Sequence, residues 1–176
     1  MVNFFSPLLM IFLIGNSNSI LPQPHNAKVV LYNDTNCSGD KLEIIEDYEP
    51  WLFNRGSSWN NGARSASVSG TWLFYDFSRY NSRIGNAGVE YIFGPNQFCQ
   101  NFTNLMRKVS SVRFAGVESD YRNDSLTVYS GKYFQGNEEF IVADLPHINL
   151  ENQNSFIITG TSGWTLYEKA SFQGAS

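Results

Sequence analysis

A tyrosine followed five residues later by a second aromatic, and two after that by a glycine, occurs in "YSGKYFQG" (Tyr129–Gly136) and again in "YEKASFQG" (Tyr167–Gly174). Two degraded copies precede them: "YNDTNCSG" (Tyr32–Gly39), with Cys37 in the second aromatic place, and "YDFSRYNS" (Tyr75–Ser82), where Tyr80 is kept but Ser82 replaces glycine. In each copy the tyrosine closes a strand-like apolar run, "KVVLY", "TWLFY", "LTVY" or "WTLY". The chain then makes a tight excursion. The glycines Gly39, Gly136 and Gly174 at its end supply a positive φ that other residues reach at a cost of about 1 kcal/mol. The paired aromatics, Tyr129 with Phe134 and Tyr167 with Phe172, are expected to stack over the folded hairpin.

A second landmark is a serine five residues before a glycine: Ser65 in "SASVSG", Ser111 in "SVRFAG" and Ser155 in "SFIITG". Each is expected to open a strand, its hydroxyl satisfying backbone groups that the bent hairpin exposes. Helix-period patterning is scarce. With 14 Phe, 9 Tyr and 4 Trp beside many β-branched residues, the chain reads as all-β.

Four such hairpins, three of them with a downstream serine, resemble the Greek key motifs of the βγ-crystallin superfamily over nearly everything after Ala27. The resemblance implies two β-sandwich domains, each made of two interlocking motifs. Tyr32 to Tyr75 is 43 residues and Tyr129 to Tyr167 is 38, whereas Tyr75 to Tyr129 is 54. The excess lies in polar "GVESDYRND" (Gly116–Asp124), so we expect a first domain at 28–116, a linker at 117–124 and a second domain at 125–176. The fourth motif stops just after its hairpin. The second domain is therefore expected to be incomplete by about 30 residues on the family's motif length, with strands such as "SFIITG" partly uncovered.

Many members of that family bind calcium through a loop N/D-N/D-x-x-S/T-S. Here the first copy, "NNGARS" (Asn60–Ser65), keeps Asn60, Asn61 and Ser65 but puts Arg64 where a hydroxyl ligand belongs. A cation there opposes a dication. The second, "MRKVSS" (Met106–Ser111), keeps its serines and loses both leading ligands; the third, "LENQNS" (Leu150–Ser155), keeps Glu151, Asn154 and Ser155 in part. The resemblance leaves at best one poor calcium site, from Asn60, Asn61 and Ser110 or from Ser110 with loop oxygens near Asn33 and Asn36. No other cofactor is expected.

Residues 1–19 are uncharged and contain the apolar run "PLLMIFLIG" (Pro7–Gly15), too short for a bilayer core that needs about 20 residues. We read 1–19 as a signal peptide and 20–27 as a lead-in, which implies a secreted product; no later run is long enough for a transmembrane segment. A net charge of −4 disfavours nucleic acid as a partner. The densest basic stretch, "MRKVSSVR" (Met106–Arg113), alternates like a strand with one wet face. In an oxidising compartment Cys37 and Cys99 are expected to form a disulfide closing a loop worth about 4 kcal/mol; the alternative is two buried thiols. Sequons stand at Asn33, Asn36, Asn101 and Asn123.

Catalytic candidates are few. His25 and His147 have no metal spacing, and the acidic pairs in "EIIED" (Glu43–Asp47) and "NEEF" (Asn137–Phe140) read as solvated strand faces. The expectation is a non-enzymatic structural or binding module, with a protein or glycan ligand, domain pairing or oligomerisation open to it. The alternative is a secreted effector such as a proteinase inhibitor, an antimicrobial protein or a membrane-acting toxin subunit.

Overall fold

The longest wholly buried strand among the described residues decides the architecture. Strand β4 (Ser65–Tyr75) is buried along its whole length, and it bends at Gly70, where φ is +91° and a Cβ would lie 2.8 Å from the Phe114 ring and 2.9 Å from Tyr121. Only glycine fits that bend. The register against β5 (Val89–Asn101) slips at the same place, between Val68 and Gly70. Below the bend β4 pairs with β1 (Lys28–Tyr32), and above it with β6 (Ser111–Ala115). One strand thus belongs to two layers.

The computed structural model describes residues 26–82, 87–149 and 154–175. In the first half all strand pairs are antiparallel. The order is β2 (Lys41–Ile44), β1, β4, β6, β3 (Tyr48–Glu49), with β5 along the other side of β4. Val29, Leu31 and Val68 from one layer face Trp72, Phe74, Ile92, Val112 and Phe114 from the other, as in a β-sandwich. The second half holds β7 (Ser125–Tyr129), flanked by β8 (Glu138–Ile141) and β9 (Ser155–Thr159). Its smaller core gathers Leu126, Val128 and Ile141 with Ile148 and Trp164. Among the described residues helix is confined to three short 3₁₀ turns, and the fold is all-β. Among the described residues no helix is long and apolar enough to cross a membrane.

The two sheet systems meet face to face. Leu73 and Tyr75 on the outer side of β4 pack with Tyr129 of β7, joined by Tyr80, Val89, Phe134 and Ile157. One sequence expectation fails here: β6 has no wet face. Ser111–Ala115 is buried throughout and Arg113 is 3% exposed, because its outer side is covered by the second half. Met106–Lys108, expected to continue that strand, forms a turn. The expected signal peptide at 1–19, His25 and Glu151 lie outside the described residues.

Candidate functional site

The repeat is visible as geometry. In the four hairpins the two residues ending at the second aromatic place share left-handed backbone angles: Asn36 and Cys37 (φ 57° and 53°), Arg79 and Tyr80 (52° and 57°), Tyr133 and Phe134 (54° and 57°), Ser171 and Phe172 (59° and 58°). Gly39, Gly136 and Gly174 come two residues later at φ +79°, +79° and +89°. Two successive non-glycine residues at positive φ are strained, and something must hold them.

The serines do so. Ser65, Ser111 and Ser155 lie directly across the ladder from Tyr32, Tyr75 and Tyr129, beneath the hairpin each tyrosine opens. Ser65 Oγ donates to Asp34 O (2.6 Å) and accepts from Cys37 N–H (3.0 Å). Ser111 Oγ donates to Phe77 O (2.7 Å) and accepts from Tyr80 N–H (3.0 Å). Ser155 Oγ donates to Gly131 O (2.7 Å) and accepts from Phe134 N–H (2.9 Å). The same two backbone groups are satisfied each time.

The aromatic pairs meet edge to face rather than stacked: Tyr75 with Tyr80 at 5.6 Å, Tyr129 with Phe134 at 5.7 Å and Tyr167 with Phe172 at 5.9 Å between centroids. This is the arrangement that ring quadrupoles favour. In the first hairpin Cys37 replaces the ring and is bonded to Cys99 of β5, 62 residues away. In the second, Ser82 has φ −57°, and the turn is closed instead by buried Asn81. Its Oδ1 accepts from Phe77 N–H (2.9 Å) and its Nδ2 donates to Gly88 O (2.9 Å).

Sequence reasoning missed the junction between the halves. Arg113 reaches out of β6 into a cage of tyrosines, its guanidinium carbon 5.5, 4.8 and 4.7 Å from the ring centroids of Tyr75, Tyr80 and Tyr129. Its Nη1 lies 3.3 Å from Glu138 Oε2, and Nη2 donates to Tyr75 Oη (3.0 Å) and to Phe134 O. Tyr75 donates to that carbonyl too, at 2.7 Å, and Tyr48 Oη donates to Glu138 Oε1. Burial pushes the Tyr75 and Tyr129 hydroxyls well up and Tyr80 to about 12. Burial works against the Arg113 charge, but the tyrosines and Glu138 outweigh it and raise its pKa further.

The acidic residues read as solvated are thus partly engaged. Glu138 holds Arg113, and Asp47, beside the first half's edge, has its carboxyl raised to about 6 by burial first and then by the Glu118 carboxylate. Elsewhere Glu90 accepts backbone N–H groups from Thr103, Asn104 and Leu105, and buried Glu49 pairs with Arg55. His147 is exposed on a loop. Among the described residues no three His, Cys, Asp or Glu side chains cluster as metal ligands.

No family model and no curated protein matches the chain. Among solved structures it is similar to Geodin, a beta-gamma crystallin from Geodia cydonium, at 20% identity and a TM-score of 0.63, over 85% of this chain and 82% of that one. The fold is that of a βγ-crystallin. The solution structure of Protein S complexed with calcium also matches, at 15% identity and a TM-score of 0.39, over 85% of this chain and 86% of that one.

Within the βγ-crystallin frame, the residues weighed for calcium are already bonded among themselves. Ser110 Oγ donates to Asn61 Oδ1 at 3.0 Å, across two motifs, while Asn60 is half-buried beside them. The Asn33–Asn36 loop has polar partners of its own. Asn36 and Asn101 bond reciprocally, Asn36 N–H to Asn101 Oδ1 (2.6 Å) and Asn101 Nδ2 to Asn36 Oδ1 (3.0 Å). Asn33 Nδ2 donates to Asp40 Oδ2 (3.0 Å). Arg64 does not project an unbalanced charge, since Nη1 lies 3.2 Å from Asp34 Oδ1. In the third copy Asn154 Nδ2 donates to Ser130 O (2.7 Å). Of the sequon asparagines, Asn33, Asn36 and Asn123 are exposed and Asn101 is half-buried.

Proposed function

We propose that the chain is a secreted structural or binding module of βγ-crystallin type, without catalytic activity and with weak or absent calcium binding. The observation that carries this reading is how its polar side chains are used. Ser65, Ser111 and Ser155, whose oxygens a calcium loop would need, already commit a donor and an acceptor to their own hairpins. Asn61 and Ser110 bond to each other, and Arg64 is held by Asp34. A hard dication takes six to eight oxygens and would have to displace these bonds. Glu90 is engaged with backbone N–H groups, and Glu49 and Glu138 with arginines. The Cys37–Cys99 bond supports an oxidising, extracellular setting, where disulfides persist.

A calcium titration followed by tryptophan fluorescence and thermal melting tests the reading. No change in melting temperature up to about 1 mM calcium, the upper range of extracellular modules, is expected. A rise of several degrees that is abolished by Asn61→Ala would replace this reading with that of a calcium-stabilised module.

A further inference from the structure

The polar side chains around the first half's hairpins are committed to the chain itself, as the serine braces show. One place departs from this. Where β4 reaches Ser69, beside the Gly70 bend, the surface holds a cavity of about 500 Å³, within the range of small-ligand sites. Asp47 lines it from the segment before β3, Glu118 from the segment after β6, and Asn96 and Gln97 from within β5.

The polar groups here are uncommitted. The side-chain amides of Asn96 and Gln97 make no hydrogen bond among the described residues, and neither Asp47 nor Glu118 belongs to an ion pair among them. Ser69, 6% exposed, accepts from Gln97 N–H at 2.9 Å, which leaves its hydroxyl proton for another acceptor. Asp47 registers the lack of donors: burial, then the neighbouring Glu118 carboxylate, raises its carboxyl to about 6, whereas Asp124, bonded by Ser162 and Thr161, is lowered. The backbone of the rim is nevertheless held. Asn96 and Gln97 keep left-handed φ values of 52° and 61°, and Gln97 N–H donates to Ser69 Oγ as Cys37 N–H does to Ser65 Oγ.

The lining discriminates among ligands. An anion would meet two carboxyls, while the lysine there, Lys28, is paired with Glu43 at 2.9 Å. An apolar molecule would desolvate carboxyls and amides without giving them partners. A cation only donates, and would leave the amide N–H groups without an acceptor. Hydroxyl groups, each donor and acceptor at once, match both kinds of side chain. We propose that this cavity binds a neutral mono- or disaccharide, its hydroxyls donating to Asp47 and Glu118 and exchanging hydrogen bonds with the amides of Asn96 and Gln97. Ile45, 76% exposed in the same lining, offers an apolar contact to the C–H face of the sugar ring. The proposal rests on the binding-module reading above and gives it a ligand class.

Heteronuclear NMR of the full chain tests this, with glucose, galactose, mannose, N-acetylglucosamine and lactose each titrated to about 50 mM, beyond millimolar dissociation constants. At least one sugar is expected to give saturable shifts clustered at residues 45–47, 69–72, 96–97 and 118, with affinity weakened at least tenfold by Gln97→Ala or by Glu118→Ala, both at exposed positions. No saturable shift with any of these sugars, shifts that cluster elsewhere, or binding that survives both substitutions overturns the proposal. Saturation by spermidine and by none of the sugars overturns it too, in favour of a cation site. The calcium titration above reads different residues, Asn61 and Ser110, so either result can fail without the other.

Discussion

Arg113 of β6 and Glu138 of β8 meet at 3.3 Å across the junction of the two halves, the arginine 3% exposed and the glutamate side chain 17%. Neither charge is easily left alone. Removing one partner of a buried pair costs about 3–5 kcal/mol because the other stays desolvated and unpaired. Arg113 retains Phe134 O, Tyr75 Oη and three ring faces, so Glu138→Gln is expected to cost less, about 2 kcal/mol. Calorimetry should show the melting temperature falling by roughly 4–8 °C. Arg113→Met, which removes the contacts with Tyr75 Oη, Phe134 O and three ring faces and leaves Glu138 Oε2 without its counter-charge, should lose at least as much. Equal melting of Glu138→Gln and parent would mean that the pair does nothing for the junction.

The serine braces make a second prediction with its own control. Ser111→Ala strips Phe77 O and Tyr80 N–H of their partner beneath a fully covered strand, and Ser155→Ala does the same to Gly131 O and Phe134 N–H. Each is expected to cost about 2 kcal/mol, the desolvation of buried groups left unsatisfied. Ser38 Oγ also bonds a carbonyl, that of Thr35 (2.7 Å), but on an exposed loop. Ser38→Ala should stay within about 0.5 kcal/mol of the parent. Urea unfolding of the three variants measures the contrast; a Ser38 effect as large as the others would remove the special role of the braces.

Much of the fold is legible in the chain because the hairpin is a local device. The Tyr-to-glycine spacing and the serine landmarks specify a backbone path that each unit completes by itself, and Cys37 in an aromatic place points to a different fastening. The junction is not legible. Arg113 alternates with apolar neighbours like any strand residue with a wet face, and only the docking of β7 and β8 turns that face into an interior. Glu138, on a short strand, and Asp47, in the bend before β3, mislead for the same reason: a carboxylate in a short polar stretch reads as solvated until a long-range neighbour covers it.

Asp47 gives a pH dependence of defined sign. Its carboxyl is raised from 3.8 to about 6 by burial and then by the nearby Glu118 and Glu138 carboxylates, so the folded state holds its proton more tightly than the unfolded chain. The resulting stabilisation is fully present below about pH 3.8 and is lost as pH rises through 6. Asp47→Asn keeps a neutral donor at that place at every pH. It should match the parent near pH 3.5 and exceed it by about 1 kcal/mol at pH 7.5, a figure already reduced for the screening of a half-exposed group. Shifts of the opposite sign at Asp34, Glu43 and Asp124 occur in both proteins and cancel in the difference. Thermal melts of the pair across that range check it; a constant difference would exclude Asp47 as the titrating group.

The first hairpin is fastened differently from the others, and its fastening can be cut chemically. Where other copies place a ring edge-on to the tyrosine, Cys37 is tied to Cys99 in β5, closing a loop with a sequence separation of 62. Loop closure on that scale restricts the unfolded chain by about 4 kcal/mol. The Cys37→Ser, Cys99→Ser double variant is therefore expected to melt roughly 10 °C lower, and the parent under reductant should fall to the same value. The hairpin should still form, held by Ser65 and by the reciprocal Asn36–Asn101 bonds. Replacing Cys37 by Phe in the Cys99→Ser background restores the aromatic place and should recover about 1 kcal/mol through contact with Tyr32. If the reduced parent and the double variant melt with the oxidised parent, the bond adds nothing to the fold, and the first hairpin rests on Ser65 and the Asn36–Asn101 pair.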